Sequence, residues 1–128
     1  MAKSKATKMK EISFKTKCEV MDRQCSRSLT KVYLSHPSFH HVVERGAGSG
    51  VGLAFNVVAL TFEEHRAVHD HQPIIVNGKQ MYTWDEFQIA MKDYLKVQYP
   101  AWSEEACHIH KYWDEQDYWD AINGIKKG

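Results

Sequence analysis

Hydrophobic and polar positions change period several times along this chain, and the changes mark out its elements. In residues 12–20, Ile12, Phe14, Cys18 and Val20 are interleaved with Ser13, Lys15, Lys17 and Glu19, as in a half-buried strand. In the same stretch Phe14, Cys18, Met21 and Cys25 also fall near helical spacing, so strand and helix both stand as readings. Residues 26–30 are turn-like, and residues 31–34 suit a short strand that stops before Pro37. Residues 39–43 (FHHVV) are a short apolar and aromatic run holding two adjacent histidines. After them Gly46, Gly48, Gly50 and Gly52 occupy every second position and make a flexible loop. Residues 55–60 (FNVVAL) are a second strand candidate, so the two runs form a hairpin-like pair across the glycine loop.

At Thr61 the period lengthens. Thr61-Phe-Glu-Glu64 has the capping-box pattern, which opens a helix through about Asp70, with Pro73 ending the excursion. Asn77-Gly78, between IIV and KQMY, predicts a tight hairpin turn. Thr83-Trp-Asp-Glu86 is a second capping box. It starts a helix with Trp84, Phe87, Met91, Tyr94 and Leu95 on one face, ending near Pro100. Ser103 is expected to cap a third helix through about Trp113, and the tail beyond also suits a helix. The fold class predicted is α+β. Residues 1–10 read as a flexible basic arm and residues 11–128 as one domain, with an antiparallel strand pair and a helix in about 38–71 and a helical part in about 83–124.

Composition narrows the class without deciding function. A chain of 128 residues, 43% hydrophobic and 26% charged, has the make-up of one ordinary globular domain. No apolar run approaches the ~20 residues that span a bilayer, and none follows the basic N-terminus as in a secretory signal. A cytoplasmic location without a membrane partner is the expectation. Cys18, Cys25 and Cys107 are odd in number and form no C-x-x-C pair, so neither a disulfide framework nor a zinc ribbon is supported. Charge is lopsided: residues 1–45 hold ten Lys and Arg against four Asp and Glu, and the rest hold seven against twelve. A cationic N-terminal third suits a polyanion such as DNA, although residues 1–10 alone equally suit a solvated tail. The glycines match neither G-x-G-x-x-G nor a P-loop.

The chemistry is concentrated between His40 and His69. His65 and His69 stand four apart on the expected helix, one turn apart on one face, where two imidazoles can grip a single ion. His40 and His41 are adjacent on the expected strand and therefore face opposite ways. One can face a metal while its neighbour is free for acid–base work. Each pair alone is weak; together with the glycine loop, a strand asparagine and a capped helix they are informative. The order Glu64-His65-x-x-x-His69 differs from the H-E-x-x-H of zinc proteases.

His41, Asn56 and His69, supported by His40 and His65, resemble the signature of the HNH, or ββα-metal, endonucleases. Their spacing is similar to that of colicin-type DNases, and the chain's size and short helical tail look like the small HNH proteins of bacteriophages. The resemblance implies a DNA endonuclease in which His40, His65 and His69 hold one divalent ion. His41 would be the general base that takes a proton from water. The side-chain amide of Asn56 would bond backbone across the glycine loop and fix the orientation of His41. Imidazole ligands suit zinc, nickel, cobalt or manganese better than magnesium, and the ion expected is zinc, nickel, manganese or magnesium. Unlike many small members of the family, this chain has no paired C-x-x-C knuckles, so a structural zinc is not expected.

The remaining candidates are open to plainer readings. Arg45 is a candidate phosphate clamp, with an ordinary surface arginine as the alternative. Glu44 is either a partner for a ligand histidine or a solvated carboxylate. His36 and His71 suit turn and loop positions. His108 and His110 would face apart on a helix, which argues against a second metal site. Trp102, Trp113 and Trp119 suit helix packing. The alternative function is a catalytically inactive, metal-stabilised nucleic-acid-binding module, which would need neither His41 nor Asn56. A third reading is a metal-free interaction protein with incidental histidines.

Overall fold

In a computed structural model that describes residues 9–44 and 50–125, four α-helices and two small antiparallel sheets lie among the described residues, making the fold α+β. The helices are α1 (Phe14–Arg23), α2 (Phe62–His69), α3 (Trp84–Gln98) and α4 (Glu115–Ile122). β1 (Ser38–His41) pairs with β2 (Val57–Leu60), and β3 (Ile74–Val76) with β4 (Lys79–Tyr82). No helix among the described residues is long and apolar enough to cross a membrane.

Ser13 resolves the first ambiguity in favour of a helix. Its hydroxyl accepts from the Thr16 amide at 3.1 Å and caps α1, satisfying one of the amides left open at a helix start. The buried line is Thr16, Val20 and Gln24, however, not the Phe14–Cys18 stripe. Phe14, Cys18 and Cys25 are exposed, while Cys107 is buried; all three thiols are free.

β2 is the centre of the molecule. All four of its residues are buried because both faces are covered, which is why VVAL does not alternate. Val57 and Ala59 pack with Val20 of α1, and Val58 and Leu60 join the larger core with Val68, Phe87, Met91 and Leu95. The outer edge of β2 is closed by side chains. The Gln24 amide accepts from Ala59 N at 2.8 Å and donates to Ala59 O at 2.9 Å, and Arg23 donates to Val57 O at 2.7 Å. An otherwise open strand edge is thereby paired without another strand.

Both threonine capping boxes form, at Thr61 with Glu64 and at Thr83 with Glu86. Asn77 and Gly78 turn the β3–β4 hairpin with φ of 52° and 76°, as a two-residue hairpin loop demands.

Three expectations are corrected. Residues 31–34 are not a strand: Cys25, Ser26 and Lys31 all have positive φ and curl the chain, leaving one bridge between Arg27 and Tyr33. That curl is tied to α2 by the buried Glu64 carboxyl, which accepts from Ser28 Oγ at 3.2 Å and also from Thr30 Oγ1. Residues 54–56 make a 3-10 turn, so β2 begins at Val57 rather than Phe55. The helix expected from Ser103 to Trp113 is reduced to a 3-10 turn, Glu105–Cys107. The Cys107 carbonyl accepts from Val51 N at 2.8 Å, and His108 bridges Gly50, so tertiary pairing overrides local helix preference there. Helix returns at α4, where Asp114 and Asp117 make a third capping box.

Candidate metal centre

The alternation of β1 divides its histidines between two environments. Ser38 and His40 point towards α2, whereas Phe39 packs with the cluster formed by α1 and His41 reaches the chain at residue 10. On α2, His65 and His69 occupy successive turns of one face. One ligand nitrogen from each of His40, His65 and His69 lies within 4.8 Å of the others, the one such group found among the described residues. His65 Nε2 and His69 Nε2 stand 3.0 Å apart, close to the ~3.3 Å that two nitrogens show in a tetrahedral zinc site with bonds of ~2.0–2.1 Å. Ring centroids are 5.2 Å apart for His40–His65 and 5.9 Å for His40–His69.

His40 supplies the strongest test of fit. It is 2% exposed, and neither of its ring nitrogens has a hydrogen-bond partner. Leaving a buried polar group unsatisfied costs ~1–3 kcal/mol, and a divalent ion at the convergence point would engage one of the two nitrogens. Burial, then the neighbouring His65, His69 and His41, push the His40 pKa down to about 3. Burial also lowers the pKa of His65, reinforced by His69 and opposed by the Glu44 carboxylate. Both rings are therefore neutral at physiological pH, the state in which imidazole offers a lone pair to a metal. His69 lies exposed at the rim, so three protein ligands leave an open side towards solvent.

A fourth residue holds the cluster in place. Ser38 Oγ is hydrogen-bonded to His65 Nδ1, which leaves Nε2 of that ring facing His69 Nε2 in the cluster. Sequence reasoning passed over Ser38, although its position two residues before His40 places it on the same strand face.

Asn56 is fully buried at the start of β2 and spans both ends of the glycine-containing connection. Its Oδ1 accepts from Val43 N at 2.8 Å, while Nδ2 donates to Val43 O at 3.0 Å and Val51 O at 2.9 Å. A Cβ on Gly50 would lie 1.8 Å from Val43 O and 3.1 Å from Asn56 Nδ2, so this clasp requires glycine there. The clasp sets the course of the chain two residues after His41.

His41 is partly exposed beside a cavity of about 640 Å³ whose lining includes Lys10, Glu11, Lys17 and Ser38. Its Nε2 lies 2.7 Å from the Lys10 carbonyl oxygen. Arg45 lies outside the described residues. Glu44 is exposed and acts on the cluster through its charge on His65.

The other histidines do not join. His71 takes a left-handed conformation (φ 54°) after the α2 cap and stacks on Trp84 at 4.2 Å, and Trp84 Nε1 donates to Val68 O. His36 is exposed, and His110 packs against Trp113 and Tyr118. Trp102 is buried, its Nε1 donating to Phe55 O at 2.7 Å, and Trp113 and Trp119 lie against the core.

Comparison of the chain with family models, with curated proteins and with solved structures returned no match.

Proposed function

We propose that this protein is a metal-dependent endonuclease that hydrolyses DNA phosphodiester bonds, and that β1, β2 and α2 are its ββα-metal core. The observation that carries the reading is a buried, unpartnered histidine, His40, converging with His65 and His69 while the adjacent His41 borders an open cavity. A site that only stabilised the fold would need the three ligands and nothing beside them.

In the proposed reaction His40, His65 and His69 hold one divalent ion, with zinc, nickel or manganese preferred by all-imidazole ligation over magnesium. When bound, that ion supplies Lewis-acid stabilisation of charge on the phosphorane and on the departing 3′ oxygen. His41 takes a proton from the water that attacks phosphorus in line. Asn56 holds the chain just after His41, and Ser38 keeps the His65 ring aimed. Lys10 and Lys17 place positive charge at the cavity where the phosphate backbone would run, with Arg45 as a further phosphate clamp.

Metal-stripped protein incubated with supercoiled plasmid, supplemented in turn with manganese, nickel, zinc and magnesium, tests the proposal. Nicking or linearisation that depends on added metal is the expected result. A protein that binds metal tightly and cuts no DNA with any of the four ions would instead be a metal-stabilised nucleic-acid-binding module.

A further inference from the structure

Composition assigns Met9 and Lys10 to a basic arm, yet the main chain there is built into the site. Gly52 N donates to the Met9 carbonyl at 2.7 Å, and His41 Nε2 meets the Lys10 carbonyl at 2.7 Å. The segment lies so close to the loop end that a Cβ on Gly52 would stand 2.3 Å from Glu11 O and 2.6 Å from Lys10 O. On either side the Met9 and Ile12 side chains are partly buried against the two cores. Four successive residues thus anchor this stretch, Met9 and Ile12 by side chain and Met9, Lys10 and Glu11 by main chain or close approach.

A carbonyl oxygen can only accept, so the nitrogen facing it must carry the hydrogen. In a neutral ring that leaves His41 Nδ1 with the lone pair. We propose that residues 9–11 are a positioning strap for His41: the Lys10 carbonyl holds the ring in its Nε2–H tautomer, and Gly52 is the residue that lets the strap seat. Nδ1 is then the nitrogen available to accept a proton. The catalytic consequence rests on the nuclease reading; the tautomer and the strap do not. Lys10 acts here through its main chain, not its charge, and it complements Asn56, which acts on the chain after His41.

The test is the tautomeric state of His41 by long-range ¹H–¹⁵N NMR on the full-length protein, with and without added zinc. The expected wild-type result is one tautomer, pyrrole-type at Nε2 and pyridine-type at Nδ1. Gly52→Ala should turn His41 into a tautomer mixture, while Lys10→Ala should leave it fixed, because the carbonyl remains. With plasmid as substrate, Gly52→Ala should lower kcat by about 100-fold with little change in KM, the scale of loss when a catalytic group is misplaced. A wild-type His41 that is a mixture, or is Nδ1–H, overturns the proposal. Because Gly52→Ala crowds the main chain and can unfold the domain, a second measurement uses the unaltered protein. The Gly52 amide should be protected from hydrogen exchange by Met9 O, and exchange at an unprotected rate overturns the strap. A fixed tautomer in a protein that cuts no DNA supports the strap while refuting the nuclease.

Discussion

Replacing Asn56 by alanine removes the clasp that joins the end of β1 to the start of β2. Three hydrogen bonds are lost, to Val43 N, Val43 O and Val51 O, at 2.8–3.0 Å, around a side chain with 0% exposure. Each backbone group left buried and unsatisfied costs ~1–3 kcal/mol, and three together cost roughly 3–9 kcal/mol. Set against the ~5–15 kcal/mol of a typical domain, that is a large part of the total. In urea, with a slope of ~1–3 kcal/mol per molar, the unfolding midpoint should fall by about 3 M. Asn56→Asp sharpens the test, since a carboxylate keeps the acceptor for Val43 N but has no donor for the two carbonyls. It should destabilise at least as much as alanine. A loss below ~1 kcal/mol for Asn56→Ala, the level of surface substitutions, would refute the burial and hydrogen-bond argument. An Asn56→Asp protein as stable as wild type would show that the bond directions are wrong.

Metal-free protein should lose stability as pH falls below neutrality. His40 has a pKa near 3 when folded and ~6.5 when unfolded, so the unfolded chain binds the extra proton in that window. Between pH 7 and pH 5 wild type should lose about 2 kcal/mol more than His40→Gln in urea unfolding, from ~1.4 kcal/mol per pKa unit; equal losses would contradict it. Ser38→Ala should weaken zinc binding ~10-fold or more in a calorimetric titration while leaving unfolding largely unchanged, and an unaltered affinity would remove Ser38 from the site. With a thiol reagent, Cys18 and Cys25 should react in the native protein. Cys107, buried and with its thiol pushed up to about 12 by desolvation and then by Glu104, should react only after unfolding. Prompt labelling of all three would contradict its burial.

Local signals were legible where one short segment decides its own geometry. Thr61 and Thr83 cap helices through residues three positions on, and Asn77-Gly78 turns a hairpin within itself. The histidine cluster was legible for the same reason: spacing on one helix and parity on one strand fix which rings can meet. What sequence reasoning did not reach depends on distant partners. Gln24 and Arg23 close the edge of β2 across more than thirty positions. The segment after Ser103 gives up its helix because Val51 and Gly50 claim its backbone. The docking of residues 9–11 rests on a close approach to Gly52, which shows in the sequence only as one glycine among several.

The proposed division of labour between His41 as base and His40, His65 and His69 as ligands is tested most directly by measuring bound metal and plasmid cleavage on the same preparations of wild type, His41→Ala and His69→Ala. His41→Ala should retain the ion at wild-type stoichiometry and cut no DNA, while His69→Ala should lose much of both. Cleavage by His41→Ala at the wild-type rate, or loss of its metal together with its activity, would contradict it.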